Sequence, residues 1–339
     1  MKTQAKFYQW GVMLATLLLA ISTSSCENNL IYEGEGDCGT YYNISFKYDY
    51  NMKYADAFSK EVKSMDLFVF DSNDKLVKHV AVADGATIAA DGFSIPLELP
   101  AGDYELLAWA GLMNMDSFTL LADVVEGKTT KQELQVMLNN TNGTSNEDLK
   151  PLFHGAMPLN ITSEPGTYNK TMSLVKDTNV IRILLQQSSD TIVAEKFRFE
   201  ITADNGLLDY DNSLVAGNNV LYTPWSVSSG TANTASVNRT RADAVSVVVA
   251  ELTINRMIDG KSPILTVWNN EENKAVLSIP IADYALLVKG NYNSKMSSQE
   301  YLDRQDEYNM TFFLDEDGKW LSASIIVNSW NVVLDQAII

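Results

Sequence analysis

Apolar side chains alternate with polar ones along most of this chain, and this period constrains its fold more than any other feature. An alternation of two places one face of a strand in a core and the other in water. The clearest runs are 43–50, 95–99, 196–202 and 321–327. In the last run, Leu321, Ala323, Ile325 and Val327 are expected to share the core face. A nearly continuous apolar run at 245–252 predicts a more deeply buried strand.

Turn residues between these runs predict antiparallel pairing. Residues 71–74 separate the runs 67–70 and 76–82, and Asp317-Gly318 separates 310–314 from 320–327. Both patterns predict hairpins. Short strands joined in this way favour all-β sandwiches over a parallel α/β sheet.

Few helices are expected, and all are short. Tyr54, Ala55, Phe58 and Val62 have roughly helical spacing. Ser297 and Glu300 have the spacing of a capping box, which predicts a short helix over 299–304. The polar stretches 139–147 and 228–243 are predicted to be loops.

The first twenty-six residues have the pattern of an export signal. Lys2 and Lys6 precede an apolar run over 12–21, which is too short to span a bilayer as a helix. Small residues then lead to Cys26. A cysteine at this point is acylated in bacterial lipoproteins, so we predict lipidation of Cys26. The alternative is an ordinary signal peptide cleaved nearby, with Cys26 present by chance.

Charge excludes some partners. Removing residues 1–25 takes away Lys2 and Lys6 and no acid, which changes the formal net charge from −18 to −20. Such a chain repels nucleic acid and anionic headgroups, so we predict no nucleic-acid partner. Four acids and several glycines follow Cys26, which is typical of a flexible linker over 26–38. If Cys26 is lipidated, Cys38 stands alone and no intrachain disulfide forms.

No motif in the sequence indicates catalysis. His79 and His154 lack a neighbouring Cys or His at metal-ligand spacing, and a core or edge position explains each better. There is no nucleophile elbow, P-loop or dinucleotide fingerprint. Asp71, Asp74 and the acids at 315–317 do not fit a calcium loop, and β-turns explain them. We therefore predict no catalytic residue, no metal, no cofactor and no enzymatic activity.

Exposed aromatic residues are the other candidate site, because they are able to stack on sugars. Trp109, Trp320 and Trp330 lie in or beside predicted strands, where packing is the expected role. Trp225 and Trp268 each lie beside turn residues, so they are the side chains to check for exposure.

One block of sequence resembles a known family. The segments 299–308, 309–314 and 325–328, with Trp320 and Trp330, are similar to the FimB-type fimbrial anchor lipoproteins of Bacteroides-like bacteria. Further similar segments cover nearly the whole mature chain: 46–52, 66–71, 100–104, 109–111 and 153–155. Cys38 also lies where members often carry a cysteine. Early acids after the lipidated cysteine are associated with surface display in such bacteria.

The resemblance implies a fold and a function. It implies two tandem transthyretin-like β-sandwiches. A Gly/Pro/Asn-containing stretch at 163–170 is the expected junction between them, so the chain divides into four segments. These are a signal peptide (1–25), a lipidated acidic linker (26–38), an N-terminal sandwich (39–168) and a C-terminal sandwich (169–339). Family members are not enzymes. They anchor a fimbria in the outer membrane through the lipid, here on Cys26, and limit its length.

Two hypotheses about partners follow. The first is fimbrial shaft subunits, bound by a surface-exposed outer-membrane anchor. The alternative is a cell-surface lipoprotein that binds a glycan. Shaft subunits of the superfamily are cut after an Arg or Lys in the first domain, and here the first Arg is Arg182. This favours an uncut anchor.

The uncut anchor should keep its first strand. The strand at 42–50 is joined to the lipid, so its loss would release the rest of the chain from the membrane. We expect it to stay paired in the first sandwich. The segment 330–339 either donates a strand to a partner or pairs within its own domain, and the second outcome is favoured.

Overall fold

The computed structural model describes residues 39–112, 116–187, 192–234, 243–290 and 293–333. Cys26, Cys38, the predicted signal peptide and the linker lie outside these ranges. Residues 41–163 and those from 167 onward form one compact unit. No helix in the described ranges is long and apolar enough to cross a membrane.

Two sheets form the first sandwich. Its smaller sheet has the strand order β10 (Gly166–Ser173), β1 (Thr40–Lys47), β4 (Ser94–Leu97). Its larger sheet has the order β11 (Val175–Lys176), β9 (Phe153–Ile161), β5 (Gly102–Ala110), β2 (Met65–Asp71), β3 (Leu76–Val82). Alternate side chains from β1, β2 and β5, including Ile44, Leu67 and Leu106, fill one buried cluster.

A second sandwich follows. Its larger sheet has the order β16 (Ser226–Thr234), β17 (Asp243–Ile254), β12 (Asn179–Gln187), β20 (Glu307–Leu314), β21 (Trp320–Val327), β22 (Trp330–Val333). Its other sheet has the order β19 (Lys274–Pro280), β18 (Ile264–Asn269), β13 (Phe197–Ala203), β15 (Val220–Tyr222), β8 (Thr144–Ser145). Most pairs are antiparallel, but β12 runs parallel to β20 and β8 runs parallel to β15.

A small fifth sheet lies at the junction of the sandwiches. It has the order β14 (Leu207–Leu208), β7 (Val136–Leu138), β6 (Phe118–Leu120). Its side chains join the outer face of β2 and β5 to the core of the second sandwich in one continuous cluster. Strands before residue 168 therefore pair with strands after it, and residue 168 itself lies inside β10. The boundary after residue 168 stays a prediction.

The described helices are short: α1 (Phe58–Glu61), α2 (Gly85–Ala89), α3 (Ile281–Leu287) and α4 (Ser298–Arg304). The predicted cap is present, because the backbone N–H of Glu300 donates to Ser297 Oγ at 3.0 Å. Tyr54 lies outside α1 with a positive φ of 52°. The helical pattern that included Tyr54 therefore overestimated the length of this helix.

The all-β class and both hairpins are confirmed, and three further local predictions are wrong. The stretch 139–147, predicted as loop, contains the short strand β8, which pairs with β15. Residues 228–234, predicted as loop, belong to β16, which pairs with the apolar strand β17. A register shift between Phe312 and Leu314 places Trp320 opposite the buried Leu314. Leu321 is consequently 48% exposed, while Ile325 and Val327 remain in the core.

The central position of β1 predicts the effect of truncating its core side chains. Ile44→Ala in the mature chain should lower the free energy of unfolding by about 2–5 kcal/mol, because it leaves a cavity between two sheets. The measurement is denaturant unfolding. Asn43→Ala is the control, because Asn43 bonds Asn169 at the surface. Its cost should stay below about 1 kcal/mol, and equal losses in the two variants would contradict this assignment.

Candidate functional site

The first candidate region is the strand that leads from the predicted tether into the fold. Tyr42, Ile44 and Phe46 are buried on one face of β1, and Tyr48, just after the strand, is buried as well. The Tyr42 hydroxyl donates to the backbone oxygen of Asn160 at 3.1 Å. β1 lies between β10 and β4, so it is paired on both sides. The expectation that this strand pairs within the first sandwich is confirmed.

The turn after β1 is held by side-chain hydrogen bonds to its own backbone. Asn51 Nδ2 donates to the backbone oxygens of Tyr48 and Ala55. The Asp56 carboxylate accepts from the backbone N–H groups of Tyr48 and Phe58, both at 2.9 Å. These bonds fix the turn and present the rings of nearby tyrosines to the second sandwich.

Helix α4 of the second sandwich binds this turn. The Arg304 guanidinium lies over the ring of Tyr50 at 4.0 Å and over that of Tyr54 at 4.7 Å, measured to the centroids. The backbone oxygen of Arg304 accepts a hydrogen bond from the Met52 N–H at 3.1 Å. The Nη1 of Arg304 donates to the backbone oxygen of Asp49 at 3.3 Å. Arg304 therefore contacts the first sandwich through both its side chain and its backbone.

A buried ionic network lies beside this contact. Arg256 donates to both oxygens of Asp303 at 2.9 Å in a bidentate pair. Asp177, which is fully buried, has Oδ1 3.7 Å from Arg256 Nε and accepts from Asn212 Nδ2 at 2.8 Å. Gln299 donates to Asp303 at 2.8 Å. The network joins α4 to the connection between β11 and β12.

Lys176 makes a second ionic link. Its ammonium group lies 3.0 Å from Glu61 on α1 and 2.7 Å from Asp306, just before β20. One cation therefore joins carboxylates that are far apart in sequence. We define the junction latch as Arg256, Asp303, Arg304, Lys176 and Asp177.

Burial perturbs two titratable groups near the latch. Burial raises the pKa of Asp177 from 3.8 to about 7, although Arg256 and the Asn212 hydrogen bond favour its charged form. Burial lowers the pKa of His154 to about 4. His154 Nε2 lies 2.9 Å from the Tyr210 oxygen, and the ring packs 4.6 Å from that of Trp109. His154 is a core residue, as the sequence predicted.

The other residues considered from the sequence have structural partners. His79 Nε2 lies 3.0 Å from Asp66 Oδ1, and its ring stacks on Phe68. Asp71 and Asp315 each accept backbone N–H groups within their own turns. Across the described ranges, no group of three His, Cys, Asp or Glu side chains is placed to hold a metal.

The tryptophans do not form one platform. Trp225 is 38% exposed beside β16, and Trp330 is 65% exposed on β22. These strands lie at opposite edges of a six-stranded sheet, about 24 Å apart. Trp268 donates its indole N–H to Glu200 at 2.7 Å and packs against Arg198. It is therefore only partly exposed.

A sequence model of one protein family matches nearly all of the residues that form these sandwiches. The model of fimbrillin-A associated anchor proteins Mfa1 and Mfa2 matches residues 35–336. The chain belongs to this family. Membership supports a role as a fimbrial anchor that associates with fimbrial subunits, and the predicted resemblance is confirmed.

Solved structures of other Bacteroides proteins share this fold. A candidate adhesin from Bacteroides thetaiotaomicron is 33% identical, with a TM-score of 0.78, and the match covers 89% of this chain and 100% of that one. A candidate polysaccharide-binding protein from the same species is 28% identical with a TM-score of 0.75, covering 88% and 99%. No curated protein matches the sequence.

The fimbrial anchor protein Mfa2 from Porphyromonas gingivalis shares the fold. It is 17% identical, with a TM-score of 0.65, and the match covers 88% of this chain and all of that one. The block 299–308 that carried the sequence resemblance contains helix α4 and two members of the latch. The block therefore marks the joint between the sandwiches. Sequence reasoning missed Asp177 and Arg256, because their partners are distant along the chain.

The double stacking of Arg304 predicts a local effect of substitution. Arg304→Ala should lower the free energy of unfolding by about 1–3 kcal/mol and speed hydrogen exchange in residues 49–54, because two cation–π contacts are lost. Arg304→Lys should recover only part of the loss, since lysine has no planar guanidinium. Arg198→Ala is the control, because Arg198 stacks on Trp268 away from the turn. Unchanged exchange in 49–54 for Arg304→Ala would contradict a role of this stacking in holding the turn.

Asp177 predicts a pH dependence. Its folded pKa is raised, so the stability it contributes is complete below about pH 4 and is lost as the pH rises through about 7. The D177N variant mimics the neutral form at every pH. Its stability relative to the wild type should therefore rise by up to about 1.4 kcal/mol per pH unit between pH 4 and 7.

Denaturant unfolding of both proteins at pH 5, 6, 7 and 8 measures this difference. The contribution of His154 is common to both proteins and cancels in the comparison. Parallel stability curves from pH 5 to pH 8 would show that Asp177 is ionised in the folded state throughout.

Proposed function

We propose that this protein is an outer-membrane lipoprotein that anchors a fimbria to the cell surface and limits its length. The observation that carries the proposal is the family match over residues 35–336. In the proposed arrangement, acyl chains on Cys26 hold the protein in the membrane, and the sandwiches meet the fibre. Several acyl chains bind firmly, because each buried CH₂ contributes roughly 0.8 kcal/mol.

The placement of β1 supports an anchor that keeps its tether. The strand follows the predicted linker and contributes three buried side chains to the first sandwich. A force applied to the proposed lipid anchor would therefore be transmitted through the linker to β1, which is paired with a neighbouring strand on both sides. Loss of the strand would remove part of a core and separate the fold from the membrane, so this function requires β1 to stay in place.

The protein is proposed to have no enzymatic activity. Asp71 and Asp315 accept backbone N–H groups in their turns, and His154 lies in the core. The half-buried His79 pairs with Asp66. The latch carboxylates Asp177 and Asp303 contact Arg256, and Lys176 pairs with Glu61 and Asp306. These contacts connect two sandwiches.

Glycan binding is the second candidate function. It is favoured by the description of one relative as a polysaccharide-binding protein and by the exposure of Trp225 and Trp330. Because these two side chains are far apart, each would stack on a sugar ring alone, and they would not form one continuous platform for a glycan. Binding of purified protein to a glycan array, compared with W225A and W330A variants, tests this function against the anchor.

The tether predicts the behaviour of a cysteine variant. Cys26→Ala should lose fatty-acid label and leave the outer-membrane fraction, and fimbriae should appear in the medium. The sandwiches should fold as before, because they contain none of the acyl chain. The measurement is labelling with a fatty-acid analogue, followed by cell fractionation.

Cys38→Ala is the matched control and should keep both the label and the fimbriae. An unlabelled wild-type protein that remains in the membrane would contradict lipidation. Fimbriae that stay attached to cells lacking the protein would contradict the anchor function itself.

A further inference from the structure

Strand β16 is an outer strand without the usual protection of a sheet edge. It is nine residues long, pairs with β17 on one side, and shows no register shift along that pair. Its sequence, SVSSGTANT, contains no charged residue and no proline. Within the described residues, no second strand pairs with its other side. A long, uncharged edge of this kind is a ready template for another strand.

The other outer strands of this protein are short or protected. β22 and β4 have four residues each, and β4 contains Pro96. β19 contains Lys274 and Pro280, and β10 contains Lys170. β3 carries Lys78, and its His79 N–H donates to the Glu126 carboxylate at 2.9 Å. Among the described outer strands longer than four residues, β16 alone lacks these devices.

An apolar surface lies along the same edge. Val227 is opposite Ala250, whose side chain is buried in the core, so Val227 points to the core side of the sheet. Val227 is nevertheless 42% exposed. Trp225, in the bend just before the strand, is 38% exposed. A strand added beside β16 would cover Val227 with one of its own inward-facing side chains.

We propose that β16 binds an extended strand of a fimbrial subunit by β-augmentation. The incoming strand would pair with the outward N–H and C=O groups of β16, and an inward-facing apolar side chain of that strand would cover Val227. This mode adds a strand to an intact sheet, so no strand of the anchor is displaced. The inference rests on the proposed anchor function.

A subunit strand fits this edge better than a second copy of the chain. Two copies of the mature protein would bring together bodies that each carry a formal net charge of −20, the value after residues 1–25 are removed. β16 itself carries no charge that offsets this repulsion. The family, moreover, consists of fimbrillin-associated proteins.

Adjacent proline substitutions test the edge. Along a strand, successive N–H groups point to opposite sides, so Ser228 and Ser229 direct one N–H outward and one toward β17. S228P and S229P therefore form a matched pair. One should keep the wild-type melting temperature, because it removes only an outward N–H, and the other should lower it, because it breaks a bond to β17.

The probe is fimbriae purified from a strain that lacks this protein, added to the mature full-length chain. The variant with the unchanged melting temperature should bind these fimbriae about tenfold or more weakly, because a buried partner group of the added strand is left unpaired. In hydrogen exchange, alternate amides of β16 should become protected when fimbriae bind to the wild type.

Three outcomes would overturn the inference. The first is unchanged binding by the stable proline variant, and the second is unprotected β16 amides in the complex. The third is a dimer of the free chain that this variant abolishes, since it would assign the edge to a second copy. The proposed function has its own test, which is whether cells lacking the protein retain fimbriae. If they lose them while the stable variant restores attachment, only the inference about β16 fails.

Discussion

The burial of strand β2 on both of its faces is the constraint on which the two sandwiches depend. Leu67 and Val69 face the core of the first sandwich, while Phe68 and Phe70 face the cluster that continues into the second. A strand with only one buried face would leave each sandwich to fold independently. Here the sheet that closes the core of the first sandwich also forms one wall of the cluster that continues into the second sandwich. Hydrophobic burial therefore couples the two sandwiches.

The junction latch adds directional contacts to this hydrophobic coupling, and these contacts fix how the coupled elements are oriented. Taking Arg256 and Asp177 out of water is costly, and their attraction offsets that cost only with good hydrogen bonding. The bidentate pair with Asp303 meets that condition for Arg256. Asp177 accepts one hydrogen bond from Asn212 but keeps its other oxygen buried without a hydrogen-bond partner, which agrees with its raised pKa. Apolar contact alone would tolerate sliding between sandwiches. The planar contacts of Arg256 and Arg304 fix one orientation, which suits a protein proposed to transmit tension from a lipid to a fibre.

The parts predicted from the sequence are those governed by local physics. Alternation identified β1 and β13, turn residues identified both hairpins, and Ser297 identified the start of α4. Prediction failed where the determinant is distant. β16 is polar because it lies at an edge, so its sequence resembles a loop, and only pairing with β17 makes it a strand. Leu321 changed faces because of a register shift next to Phe313. The latch was invisible because Asp177 and Asp303 meet only after folding.

Both ends of the described chain, β1 and β22, are paired within their own sheets. β1 is paired on both sides, so it cannot leave without removing Tyr42, Ile44 and Phe46 from the core. The C-terminal segment was expected to pair in its own domain, and Trp330–Val333 does so as β22, with residues 334–339 outside the described ranges. Since neither β1 nor β22 is free, contact with a fibre falls to surfaces that remain open in the folded state. An edge that accepts a strand meets this requirement, because it binds without undoing the core that holds the tether.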